Sequence, residues 1–475
     1  MTIALGVRES RPLIALAAPI AGIQLAQVAL TTTDLAMMGL LGVQAIAAGG
    51  LALTLYNQIR TMCVGVVTAV GNLVAAAVGR SEARAGTDHL DQRAHTEIRQ
   101  IVRAAFLVAT VVGLLAGGVL TALSYALVWF GQDQVILELA RPMMIALAFG
   151  LVPMLWLNVL RQFAVGMRRP GSLLWVTIAS IGINAALNGA FIYGWLGLPV
   201  LGLTGIGAAT SFVNLLTFGA FFLIVRRDQH LAPLLSIQAW HADMGTVREI
   251  LRLGIPISLT YGSEAGIFSV AVLIMGSFGA AALAAHNVVI QLTYIVFQVT
   301  IGLSHGSSIL VSRVVSKGDL DEAKRISRTA LTLGGIVMGV VGAVYLVAPE
   351  LVLRPFLDSD EAAEVMPLAR ALLLVAVVQQ FMDCAQNIGV GLLRGLGNTK
   401  SGFRITLIGY WAVGLPVLLV FAYGFGLRGP GVWLGLCAGL AVTAVLLLRR
   451  FDHDLRALRP EPERRGTVTA QPGSP

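Results

Sequence analysis

The sequence predicts an all-α integral membrane protein of twelve transmembrane helices, set in two six-helix lobes related by a pseudo-two-fold axis along the membrane normal. Three observations predict it. Apolar stretches of spanning length recur from residue 12 to residue 448, basic residues are confined to alternate connections, and the second half of the chain repeats the first.

Composition requires lipid as the main solvent. Of 475 residues 56% are hydrophobic and only 12% charged, with a mean hydropathy of +0.81. Soluble domains carry about twice that charged fraction, and a bilayer core takes about 20 apolar residues to cross. Such stretches lie at 12–38, 45–78, 101–126, 137–166, 172–195, 203–225, 253–277, 282–314, 329–348, 367–393, 403–424 and 430–448. The net charge of +8 is dispersed in short runs between them rather than gathered as a nucleic-acid patch. Cys63, Cys384 and Cys437 all fall inside apolar segments and suit neither a disulfide framework nor a metal motif. Leu13 to Gly22, preceded by Arg8 and Arg11, has the look of a signal peptide, but the repeat gives it a full-length partner, so it reads as the first helix.

The basic residues set the orientation. Arg80, Arg84, Arg93, Arg99, Arg168, Arg169, Arg226, Arg227, Arg248, Arg252, Lys317, Lys324, Arg325, Lys400 and Arg404 all fall in the even-numbered connections, whereas the odd-numbered ones hold little beyond Arg354 and Arg428. Positive charge stays inside, which predicts a multi-pass protein of a bacterial inner membrane with both termini cytoplasmic. The segment 451–475, rich in Arg, Pro and Glu, reads as a solvated, disordered tail.

The repeat is direct. At the register that places Pro19-Ile20 on Pro256-Ile257, Gly39 falls on Gly276, Gly42 on Gly279, Gly65 on Gly302 and Arg80 on Lys317. A later register places Asn158 on Asn387 and Gly166 on Gly395. The expected units are an N-terminal lobe over 1–230, a cytoplasmic linker over 231–252, a C-terminal lobe over 253–450 and the tail. Six helices per half give both halves the same orientation, one of the repeat arrangements of secondary transporters.

Acidic residues inside apolar spans are few: Asp34, Glu264 and Asp383. Each costs about 2.5–3.5 kcal/mol at a helix centre on insertion scales, which structure alone rarely requires. None has an acidic counterpart in the other half, since Glu264 faces Gln27, Asp34 faces Ala271 and Asp383 faces Met154. Asn184 and Asn188 lie one helical turn apart, and with Thr210 and Asp34 they offer oxygen ligands to a small hard cation or a relay for a proton. Helix-to-helix hydrogen bonding is the competing reading of the amides. Gln27, Tyr261, Phe268, Gln291 and Tyr294 are candidates for lining a central cavity, with core packing the competing reading for each. Arg60 and Arg161 are either counter-ions or groups near the cytoplasmic ends, and His286 and His305 lack metal-ligand spacing. Gly424 to Gly429 matches a dinucleotide fingerprint only as letters, without the strand and helix that give it meaning. With no P-loop or nucleophile elbow, the chain is not expected to be an enzyme.

At these residues the chain resembles the multidrug and toxic compound extrusion (MATE) family, in its NorM-like branch. The carrying stretches are Gln24 to Gly39, Gly254 to Phe268, Asn184 to Asn188 with Tyr193-Gly194, Asp383 with Leu393 to Gly397, Tyr410 to Pro416 and Gly431 to Gly435. The resemblance implies a secondary active antiporter that exports small amphipathic organic cations in exchange for sodium or protons, sodium being favoured. It implies ion coupling at Glu264, Asp383 and Asp34, with a sodium ion at Glu264 and Asp383 and support from Asn184, Asn188 and Thr210. No other cofactor and no nucleic acid is expected, and the protein is expected to be a monomer in membrane lipid. A flippase for lipid-linked intermediates of the same superfamily is the alternative.

Overall fold

The computed structural model describes residues 2–86, 89–130, 133–197, 199–356 and 362–459. Among them there is no strand, and twelve helices are long and apolar enough to cross a bilayer. In chain order these are α1 (Ser10–Gly39), α2 (Val43–Ala85), α3 (Gln92–Trp129), α4 (Gln134–Gly166), α5 (Gly171–Tyr193), α6 (Gly202–Arg227), α7 (Met244–Ser277), α8 (Ala280–Lys317), α9 (Leu320–Val347), α10 (Glu364–Gly395), α11 (Thr399–Gly424) and α12 (Arg428–Ala457). Large apolar side chains such as Leu114, Leu115, Phe149, Trp175, Leu273 and Val340 stay exposed around the bundle. A surface of that kind is solvated by lipid tails, not by water.

Several helices outrun the apolar stretches at the end of the bundle that carries the basic connections. Hydropathy stops at the headgroups, but backbone pairing continues until a cap satisfies the last groups. The C-terminus of α2 closes on left-handed Gly86 (φ 65°), and α3 opens on Asp91, whose carboxylate accepts from the Ala94 N–H at 2.7 Å. The Arg84 guanidinium, donating to the same carboxylate, and then that N–H hold its pKa down at about 2. Asp243 and Asp319 cap α7 and α9 in the same way. Two boundaries shift as a result. Residues 244–252 belong to α7 rather than to the linker. At the other end α12 runs on to Ala457, because Phe451 and Leu455 are buried against the bundle. The remainder of the predicted tail, 460–475, lies outside the described residues.

The halves are built alike. Within the first, α2 packs on α4, α3 on α4, α4 on α6, α5 on α6 and α1 on α5; α8 on α10, α9 on α10, α10 on α12, α11 on α12 and α7 on α11 are the counterparts in the second. The likeness reaches single atoms. A Cβ on Gly166 would stand 2.7 Å from the Gly71 carbonyl oxygen, and one on Gly395 would stand 2.8 Å from that of Ser308, the residue onto which Gly71 maps. Asn158 Nδ2 donates to the Met154 carbonyl oxygen at 2.9 Å, and its counterpart Asn387 donates to that of Asp383 at 3.1 Å.

The halves meet where α1 packs on α8 and α2 on α7 and α8. Toward the basic end this seam is polar. Asn72 Nδ2 donates to Ser308 Oγ at 2.9 Å, and Ser312 Oγ donates to the Asn72 carbonyl oxygen at 3.1 Å. Near the ends of α2 and α8, Glu82 is 6% exposed and takes the fork of Arg313, with Lys317 Nζ 3.9 Å away. The span α11 departs from α geometry: Ile408–Gly414 and Val420–Gly424 are π-helical on either side of a short α segment.

Candidate functional site

In the first lobe three side chains from two helices converge on a carboxylate supplied by a third. Asp34, 2% exposed on α1, has an Oδ1 that accepts from Asn184 Nδ2 at 2.6 Å and from Asn188 Nδ2 at 2.8 Å, both on α5. Its Oδ2 accepts from the Thr210 hydroxyl of α6 at 3.0 Å. The one-turn spacing of the two asparagines turns both amides toward the same point. Each amide keeps a buried Oδ1 without a partner. Carboxylate, amide and hydroxyl oxygens are the donors that hard cations take, so this cluster fits a sodium ion in composition, and the carboxylate also suits a proton.

Asp34 stands in the wall of a cavity of about 70 Å³ that Gln27, Asn57, Arg60, Asn158 and Arg161 also line. With a water occupying roughly 30 Å³ of liquid, such a space holds an ion and a water or two, not a drug-sized molecule.

The second-lobe carboxylates lie close together. Asn387 Nδ2 donates to Asp383 Oδ1 at 3.0 Å, and Glu264 lies within electrostatic reach of Asp383. Glu264 is 9% exposed, and its Oε1 is buried without a partner. Neither acid stands in an ion pair among the described residues. The first π-helical turn of α11 shapes this site. Tyr410, 2% exposed and with an unpartnered hydroxyl, comes within electrostatic reach of both acids, while Trp411 Nε1 donates at 2.9 Å to Ser263 Oγ, next to Glu264. π-turns of this sort are frequent at functional sites.

The other candidates are dispersed. Gln27 lines the first-lobe cavity. The Tyr261 hydroxyl lies 3.4 Å from His305 Nε2 and accepts from Arg394 at 3.3 Å. Phe268 packs into the second-half core, Gln291 is half-buried, and Tyr294 is 45% exposed and stacked on Phe297. His286 is fully buried and accepts at Nδ1 from Trp433 Nε1 at 3.1 Å, a packing contact. Among the described residues Arg161 and Arg60 stand in no ion pair: Arg161 Nη1 donates to Gln24 Oε1 at 3.2 Å, and Arg60 Nε donates to Asn57 Oδ1 at 3.2 Å.

Asn387, Tyr410 and Arg394 are the residues that sequence reasoning missed. Asn387 had a signal, since the repeat already paired it with Asn158 one turn after the position of Asp383. Tyr410 had only its place in a stretch that carries the family resemblance, because a π-turn cannot be read from an unbroken apolar span.

The family model described as MatE matches residues 19–189 and 256–420. The chain is 36% identical over 456 residues to a probable multidrug resistance protein NorM of Pseudomonas aeruginosa, covering 95% of this chain and 91% of that one. It is also 36% identical over 447 residues to a protein of the same name from Bradyrhizobium diazoefficiens, covering 93% of each. Among solved structures it is similar to a multidrug resistance MATE family transporter in an outward-facing conformation, with a TM-score of 0.84 at 18% identity, over 95% of this chain and 96% of that one. The eukaryotic MATE transporter AtDTX14 gives a TM-score of 0.82 at 20% identity, over 96% of this chain and 99% of that one. At those identities the two structures speak for the fold.

Proposed function

The chain belongs to the MatE family, and from that premise we propose that it is a secondary active antiporter exporting amphipathic organic cations against an inward flow of sodium or protons. The observation that carries this reading is the pair Glu264 and Asp383: two carboxylates in the second lobe, within electrostatic reach of each other and in no ion pair among the described residues. Two acids in a poorly solvated site favour one added positive charge at a time. Driving ion and substrate therefore compete for the site, which is the condition for exchange. The Asp34 cluster supplies a second place for the ion, with sodium favoured by its amide and hydroxyl oxygens.

The basic connections set the orientation in this reading, with the end bearing Arg84, Arg227 and Lys317 in the cytoplasm of a bacterial inner membrane. The Glu82 pair then closes the cytoplasmic side. The test is dye efflux from energised vesicles under sodium and proton gradients imposed separately. Efflux that follows one of them is the expected result, and efflux that follows neither rules out antiport.

A further inference from the structure

The turn that ends α4 is built again at the end of α10, with one exchange. The Arg168 N–H donates to the Val165 carbonyl oxygen at 2.9 Å, and the Arg169 N–H donates to that of Ala164 at 2.8 Å. At the register of Asn158 on Asn387, the matching bonds run from Gly397 to Arg394 and from Asn398 to Leu393, both at 2.9 Å. Such a turn takes one residue in the left-handed region. The second half fills that place with Gly397 (φ 75°), and the first fills it with Arg168 (φ 60°). A side chain there carries a backbone cost that glycine avoids, so the arginine stands against local preference.

Arg168 lines a cavity of about 260 Å³ at the basic end of the seam between the lobes. Arg313 and Lys317 of α8 and Arg325 of α9 line it too, and its acids are Glu82 of α2 and Glu322 of α9. Four cations against two carboxylates leave an excess of two positive charges. Both acids are already engaged, Glu82 by Arg313 and Glu322 by Arg325, while Lys317 Nζ lies 3.9 Å from Glu82. Buried Leu13, Leu310 and Ile326 give the cavity an apolar wall.

Orientation in the membrane does not account for this arrangement. Basic residues that fix topology act anywhere on their side of the bilayer, and they need neither a shared cavity nor a left-handed backbone. Guanidinium forks beside an ammonium are the donors that hold phosphate, and basic pockets between membrane helices are places for headgroups. The cavity is smaller than drug-sized pockets usually are, so it suits a phosphate with a small substituent rather than an exported compound.

We propose that this cavity binds a phosphate group, carried by an anionic phospholipid headgroup or by a soluble phosphate, with Arg168 and Arg325 among its ligands. Arg168 comes from the first lobe and Arg313, Lys317 and Arg325 from the second, so the bound phosphate spans the seam and favours the arrangement in which the lobes are closed at this end. The inference does not depend on the exchange reading, and its test measures binding without transport.

Native mass spectrometry of the full-length protein from micelles of mixed phosphatidylglycerol and phosphatidylcholine reads the lipid source. Calorimetric titration with inorganic phosphate in detergent reads the soluble one. The wild type should retain phosphatidylglycerol over phosphatidylcholine, or bind inorganic phosphate, and the arm that responds names the source. Arg168→Gly and Arg325→Gln should each lower that preference or affinity about tenfold, and Arg168→Lys, which keeps the charge but not the fork, should lower it less. Arg168→Gly keeps the turn, as Gly397 does in the other half, so loss of ligand is read on a folded protein. Spin labels at the ends of α4 and α9 should report shorter distances with the anion than without it. A wild type that prefers neither anion, a preference unchanged in both variants, or an equal loss of both lipids overturns the site. So does a ligand-free thermal midpoint that falls in Arg168→Gly, because the arginine would then serve the fold, and distances that ignore the anion overturn the bridge.

Discussion

Gly65 and Gly302 hold the same place in the two halves, and each lies where one lobe presses on the backbone of the other. A Cβ on Gly65 would stand 2.6 Å from Ser258 Cα, and one on Gly302 would stand 2.6 Å from the Ala17 carbonyl oxygen. These are the crossings of α2 over α7 and of α8 over α1. At both, the obstacle is main chain and cannot step aside.

Alanine at either position should therefore loosen the seam. Gly65→Ala and Gly302→Ala are each expected to cost about 1–3 kcal/mol, the usual penalty of overpacking. Heating the purified protein and following its monodisperse fraction measures this. Gly118→Ala is the control, since no atom lies within 4 Å of a Cβ there. Equal thermal midpoints for all three would show that the crossings give way.

Loss of either second-lobe carboxylate should stop gradient-driven export. Glu264→Gln and Asp383→Asn are each expected to lower it more than tenfold, and the double variant should cost little more than either alone, because two neighbouring acids that serve one cation act as a unit. Independent, multiplicative losses in vesicle efflux would separate the two acids.

Asp34→Asn should weaken export more than Asn188→Ala. The first removes the charge that three donors surround, and the second removes one of those donors. Efflux at matched membrane expression is the measurement, and full export by Asp34→Asn would reduce the cluster to packing.

Breaking the ion pair at the basic end should favour the opposite opening. Glu82→Gln leaves Arg313 and Lys317 without their acid. A loss of about 1.4 kcal/mol already changes a two-state ratio tenfold. Spin labels at the ends of α2 and α8 should report longer distances in Glu82→Gln. The exchanged pair Glu82→Arg with Arg313→Glu should restore the short ones, and distances that ignore the substitution would mean that the seam closes without the pair.

How much of this was legible in the sequence depends on the interaction concerned. Spans, repeat and the acids Asp34, Glu264 and Asp383 could be read because lipid makes apolarity and charge unambiguous. The shared face of Asn184 and Asn188 could be read because helical spacing fixes it, whereas Thr210, on another helix, was only a candidate to join them. Helix ends could not, since Asp91 and Gly86 cap helices in water after the apolar signal has ended. Tyr410 depends on a π-turn, and Arg394 on neighbours supplied by α7 and α8, so neither role has a local signature.

The balance of buried charge bears on how membrane voltage acts on the cycle. Three carboxylates (Asp34, Glu264 and Asp383) and three guanidiniums (Arg60, Arg161 and Arg394) lie along the interior, and Glu82 is offset by Arg313. With the acids ionised, this interior carries no net charge, so each crossing of the cycle feels the field only through the cation bound in it. One bound monovalent ion makes that same crossing worth about 2.3 kcal/mol per 100 mV. The resting potential then drives the ion-loaded step inward and opposes the outward step loaded with an organic cation, and the polarity of the transient current tells the two steps apart.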